Sequence, residues 1–132
     1  MEQIWMDLYN AAKAVQNDRV LSEQIRAGCV AAAVESNSGK IYVGVCVDTA
    51  CSLGICAERN AIFNMITNGE NELRRVVTLM PNGKTGVPCG ACREFMAQLM
   101  SGKCNQVQIM MDYDTNQILT LSELTPEWWI SI

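Results

Sequence analysis

Two short segments, Cys56-Ala57-Glu58-Arg59 and Pro88-Cys89-Gly90-Ala91-Cys92-Arg93, bring three thiols and a carboxylate into a chain that has no histidine. Three soft ligands, Cys56, Cys89 and Cys92, with an unligated acid beside them describe a zinc site, one ion per chain, with a coordination position left open for water. A closed structural site takes four protein ligands, so the count points to chemistry on water. Glu58 lies two residues past Cys56, about 200° around a helix, where it flanks the ion and can exchange a proton with that water. Three thiolates overcompensate a dication, and a nearby cation is needed to keep the ion a useful Lewis acid. Arg59, three residues after Cys56 on the same helix face, is the expected partner of that sulfur. Arg93, four after Cys89, is the other guanidinium within reach.

Two further readings use the same thiols. Cys51 could complete a closed Cys51-x4-Cys56 and Cys89-x2-Cys92 site, giving a structural, non-catalytic zinc module. Cys89 and Cys92 could instead be an exchanging dithiol, although the third cysteine fits metal better.

The elements that must position these residues follow from hydrophobic period. Ile4, Trp5, Leu8, Ala11, Ala12 and Val15 recur at three- and four-residue steps, which predicts an amphipathic helix over about residues 2–17. Residues 30–34 and the alternation Ile41, Val43, Val45, Val47 read as an antiparallel strand pair joined across Asn37-Ser38-Gly39. A helix starts near Cys56 and is stopped by Asn68-Gly69. Strands are expected at 76–80, 107–111 and 118–121, with a second motif-bearing helix running through Phe95, Met96, Leu99 and Met100 to Gly102. Helices between strands imply crossovers, hence a mixed sheet with helices on its faces. Both thiol motifs then open helices, whose unpaired N–H groups and positive dipole end favour thiolate.

Composition bounds the rest. A chain of 132 residues, 49% apolar and 18% charged, is one domain spanning 1–132 and long enough for its own core. With ten Lys and Arg and a net charge of −4 it lacks the basic footprint that phosphate backbones require, so nucleic acid is not expected as a partner. No apolar run of about 18 residues is present, and no membrane partner is expected. The start of the chain carries Glu2 and Asp7 instead of a basic leader, and the seven cysteines are odd in number. These features predict reduced thiols in the cytoplasm, with Cys29, Cys46 and Cys104 as small buried hydrophobes and the methionines filling core or subunit contacts.

The two segments resemble the zinc-dependent cytidine deaminases, whose metal motif is Cys-Ala-Glu-Arg followed later by Pro-Cys-Gly-x-Cys-Arg. Looser similarity extends through Val30-Ala31-Ala32-Ala33, Gly44 and Leu124-Thr125-Pro126, and blasticidin S deaminase looks like another relative. The resemblance implies an α/β, three-layer α-β-α fold with a mixed sheet of about five strands, assembled as a homotetramer or homodimer. It implies hydrolytic replacement of an exocyclic amine by oxygen on a small aminated pyrimidine or analogue, in pyrimidine salvage or detoxification. Glu58 would act first as base and then as acid.

Substrate recognition departs from the family pattern. Where cytidine deaminases read ribose with Asn-Val-Glu-Asn, this chain has Cys46-Val47-Asp48-Thr49, and the loop to Cys56 is one residue shorter. Asp48 can stand in for the glutamate with less reach, whereas the Cys46 thiol is a weak donor and acceptor beside an amide. Counting back from Gly39, the ring-stacking aromatic falls on Gly28. The family also places a C-terminal aromatic, here Trp129, near a neighbouring subunit's pocket. The resemblance therefore assigns substrate binding to Asp48, Cys46, Ala57 and Trp129.

Overall fold

The structure is a computed structural model and describes residues 1–130. The helix expected at the start runs as α1, Gln3–Val15, with Trp5, Leu8 and Ala12 buried along one stripe. That stripe lies on one face of β2, Arg26–Ser36, and β4, Leu73–Leu79, where Ala31, Ala33, Val77 and Leu79 share an apolar cluster with Trp5, Leu8 and Met110. Successive strand residues point to opposite faces. Ala32, Val34 and Val76 accordingly belong to a second cluster, packed with Ile62 and Met65 of α2, Ala57–Thr67, and Met96 of α3, Gly90–Leu99. Helix, sheet and helices make a three-layer α-β-α fold.

Strand β2 is paired along both edges. Antiparallel β3, Ile41–Asp48, lies on one side, and antiparallel β4 on the other. Beyond β4 come parallel β5, Gln108–Asp112, and antiparallel β6, Gln117–Thr120. The parallel step from β4 to β5 is the crossover that α3 makes. A further strand, β1, Arg19–Val20, pairs with Ala27 and Arg26 at the beginning of β2. Among the described residues the sheet thus has six strands where the sequence led to about five. The additional strand is two exposed residues, too short to carry any alternation. The short helix α4, Leu121–Leu124, was not foreseen either, although its signal was present. Thr120 and Glu123 close a reciprocal capping box there.

One glycine sets the spacing between layers near the thiol motifs. A Cβ on Gly44 of β3 would stand 2.3 Å from the Ala61 backbone nitrogen, so α2 can cross β3 only where that side chain is missing. Asn60 Nδ2 then donates to the Val45 carbonyl at 3.0 Å, fixing the rotation of α2 on the strand. Asn60 and Ala61 lie within one turn of Glu58 and within two of Cys56.

Candidate active site

Cys56 and Cys89 occupy the N-cap positions of α2 and α3, with extended backbone at each. Cys92 follows within the first turn of α3 and is fully buried, Cys56 is half-buried and Cys89 is exposed. The three sulfurs all lie within 4.8 Å of one another, and Cys56 Sγ is 3.7 Å from Cys89 Sγ. Two sulfurs each about 2.3 Å from a tetrahedrally held zinc stand about 3.8 Å apart, so spacing and donor type both fit that ion. Cys51 is not in this group. It is exposed, with its sulfur beside the Thr49 hydroxyl, and no closed four-cysteine site forms among the described residues.

The loop before Cys56 is held by a two-way backbone bridge. Val47 N–H donates to the Ile55 carbonyl at 3.0 Å and Ile55 N–H donates back at 2.9 Å. Across the site, Arg93 Nε donates to the Pro88 carbonyl at 2.8 Å and its Nη1 to the Leu124 carbonyl at 3.3 Å. Arg93 is therefore a clamp on the entry to α3, spent on carbonyls and not on a sulfur. Arg59 behaves differently, since its Nη2 lies 3.4 Å from Cys56 Sγ. Hydrogen bonding to Cys56, and next to Cys92, raises the arginine above its ordinary pKa.

Burial raises the pKa of Glu58, opposed by its own backbone N–H, the Thr78 hydroxyl and the Arg59 charge. At 5% exposure its carboxyl is nearly out of bulk water yet lines a cavity with Cys56 and Cys89. Burial thus favours the protonated form of this carboxyl relative to one in open water. Among the thiols, desolvation pushes Cys92 well up. At Cys89 desolvation also acts upward but is outweighed by the backbone N–H groups of Cys92 and Ala91 and the neighbouring thiols, so this thiol titrates below its ordinary value.

The cavity, of about 460 Å³, contains Cys46, Asp48 and Ala57 in its wall. Trp129 is not brought to it within one chain. It is 72% exposed, and its indole and that of Trp128 donate to the two oxygens of Glu94 at 3.0 and 2.9 Å. Cys29, expected to be a buried hydrophobe, instead lines the cavity half-buried with its sulfur 3.5 Å from Cys46 Sγ. The cause is a bulge: Gly28, Cys29 and Val30 stand against the single residue Cys46 between the pairs Ala27↔Val47 and Ala31↔Val45. Strict alternation from the turn places Cys29 opposite Val47, so nothing in the local pattern revealed it. Gly28 carries φ +90°, and a Cβ there would meet the Asn17 carbonyl oxygen at 2.1 Å. An aromatic side chain cannot occupy that position.

Residues 5–110 match the sequence model of the cytidine and deoxycytidylate deaminase zinc-binding region. The chain belongs to that family. The deaminase is 31% identical over 99 residues to the cytidine deaminase of Halalkalibacterium halodurans, covering 74% of each chain. The crystal structure of cytidine deaminase from Mycobacterium leprae superposes with a TM-score of 0.75 at 28% identity, over 93% of this chain and 98% of that one. The enzyme from Mycobacterium tuberculosis shares the fold at a TM-score of 0.76 and 22% identity, over 96% and 98%. The chain is thus a zinc-dependent hydrolytic deaminase. No helix among its described residues is long and apolar enough to cross a membrane.

Proposed function

We propose that the deaminase acts on a cytosine-type nucleoside, cytidine or deoxycytidine or an analogue, replacing the exocyclic amine with a carbonyl oxygen and releasing ammonia. The observation that carries this reading is the thiol trio at two helix N-termini with the buried Glu58 carboxyl in the wall of the cavity beside it. Cys56, Cys89 and Cys92 are the residues that would hold zinc, which when bound supplies the Lewis acidity that makes water a nucleophile near neutral pH. Glu58 accepts one proton of the attacking water and passes it to the ring nitrogen next to the carbon under attack, then takes the remaining proton from the new hydroxyl and delivers it to the amine, which leaves as ammonia while the carbonyl forms. One carboxylate alternates as base and acid, and its burial raises its affinity for the proton it carries between the two roles. Arg59 offsets the excess negative charge of the thiolates by holding Cys56.

On the substrate side, Asp48 at the cavity rim accepts from a hydroxyl of the appendage, Cys46 lies against it, and Ala57 leaves space for the ring. Trp129, exposed on its own chain, closes the pocket of a neighbouring copy in a homotetramer. The role is pyrimidine salvage in the cytoplasm, where the seven thiols stay reduced. A second reading, an aminonucleoside of the blasticidin S type, is favoured by the loss of an amide at Cys46 and of any side chain at Gly28, which leaves a differently shaped wall for the appendage.

An ammonia-release screen over cytosine, cytidine, deoxycytidine and blasticidin S tests both readings. Glu58→Gln serves as the blank and is expected to lower kcat by about 10²–10⁴-fold while keeping its zinc. Release from none of the four, by protein with a full complement of zinc, sinks the proposal.

A further inference from the structure

We propose that Cys29, Cys46 and Asp48 form a second cation site, for a thiophilic divalent ion, in the wall of the cavity that the zinc trio also lines. The two sulfurs are 3.5 Å apart, Cys46 Sγ is 3.9 Å from Asp48 Oδ2, and all three ligand atoms lie within 4.8 Å of one another. An ion at about 2.3 Å from sulfur and about 2.1 Å from a carboxylate oxygen sets its tetrahedral ligands about 3.6–3.8 Å apart, so the cluster needs no rearrangement larger than a side-chain adjustment.

The surroundings are those of a ligating group. Cys46 is buried and accepts the Val30 N–H at 3.3 Å, the kind of backbone bond that steadies a ligating sulfur. Cys29 is half-buried and Asp48 is exposed, so the cluster is closed behind and open to the cavity in front. The bulge at Gly28 turns Cys29 toward Cys46 and fixes their pairing. Two sulfurs and one carboxylate select zinc or cadmium over magnesium or calcium, which take oxygen. Ligation breaks two S–H bonds, forms two S–metal bonds and releases two protons to solvent. Cys46 and Asp48 are also the groups assigned above to the substrate's appendage, so ion and substrate exclude one another there; that consequence rests on the proposed function, whereas binding of the ion does not.

The test is titration of the zinc-loaded protein with cadmium alone, under a thiol reductant that does not chelate. Both metals retained after gel filtration are counted, and thiolate-to-cadmium absorption is followed. Expected are a second metal equivalent per chain with the original zinc retained, loss of that equivalent in Cys29→Ser, and its weakening in Asp48→Asn. Melting curves identify any variant that fails to fold, and Asp48→Asn, at an exposed position, then decides. Cadmium gained one for one against zinc released overturns the site. So does a second equivalent unchanged in both variants, or a Cys29–Cys46 disulfide that persists in reductant and binds no cadmium. Zinc content and ammonia release without cadmium report on the deaminase separately.

Discussion

Two pairs of sulfurs line one cavity at nearly the same spacing, 3.7 Å between Cys56 and Cys89 and 3.5 Å between Cys29 and Cys46, yet their electrostatic settings oppose each other. The first pair sits where two helices begin, with free backbone N–H groups at hand and Arg59 at 3.4 Å from Cys56. Against desolvation, the backbone N–H groups of Cys92 and Ala91 and the neighbouring thiols hold Cys89 below its usual pKa. The second pair lies between two strands at a bulge, where the Val30 N–H donates to Cys46 Sγ at 3.3 Å and neither cysteine opens a helix. Desolvation, then the Cys46 thiol and the Asp48 charge, push Cys29 up to about 11. Proximity of sulfurs makes both clusters, but backbone N–H groups at a helix start lower the proton affinity of Cys89 in the first, whereas an ion at the second must displace the proton of a Cys29 thiol that burial has raised. Cys92 marks the limit of that argument, since desolvation raises it even in the first turn of α3.

Four substitutions test this contrast. The largest effect is expected from Cys92→Ser, which removes the buried ligand at the back of the trio. Zinc content by metal analysis should fall to background and ammonia release with it, and a variant that keeps stoichiometric zinc would show that the trio is not the site. Next comes Arg59→Met, which preserves volume and removes the charge beside Cys56. Zinc affinity or turnover should drop by about 10–100-fold, read by competition with a chelator and by steady-state rates. Unchanged affinity and rate would mean that the guanidinium is packing alone.

Gly28→Ala addresses the strand pair. With φ +90° and the Asn17 carbonyl oxygen 2.1 Å from the new Cβ, the bulge has no room for it, and a loss of about 1–3 kcal/mol is expected in denaturant unfolding. Wild-type stability in this variant would show that the bulge relaxes freely and does not fix Cys29. The smallest effect belongs to Cys51→Ser, at an exposed loop thiol outside both clusters. Zinc content and kcat should both stay at wild-type levels. Loss of zinc on that substitution would instead restore the closed four-cysteine reading.

The thiol motifs were readable because their geometry is local. A cysteine at a helix N-cap and another in the first turn of the same helix meet one ion whatever the remainder of the chain does, and the family pattern joins Cys56 to them. Periodicity likewise exposed α1, α2 and α3 and the β2–β3 hairpin, since core-facing residues must recur at the helix or strand repeat. Other features depended on distant partners. Arg93 stood by spacing as a second guanidinium within reach of a thiol, after Arg59, and its engagement with the Leu124 carbonyl depends on where α4 packs. Trp129 was assigned to a pocket wall by the family pattern, yet within the chain its indole, like that of Trp128, donates to Glu94 on α3.

The amino-acid order alone determined the donor set, the acid beside it, the absence of a basic surface and the alternation of helix and strand, because each is carried by residue type and short-range spacing. The tertiary structure decided which of the seven cysteines meet. An insertion in β2 shifts the register against β3 and brings Cys29 to Cys46, while the crossing of α2 over Gly44 sets where Cys56 stands relative to Cys89. Strand register and layer spacing are settled by packing and hydrogen bonds between segments far apart in the chain, and no local pattern encodes them.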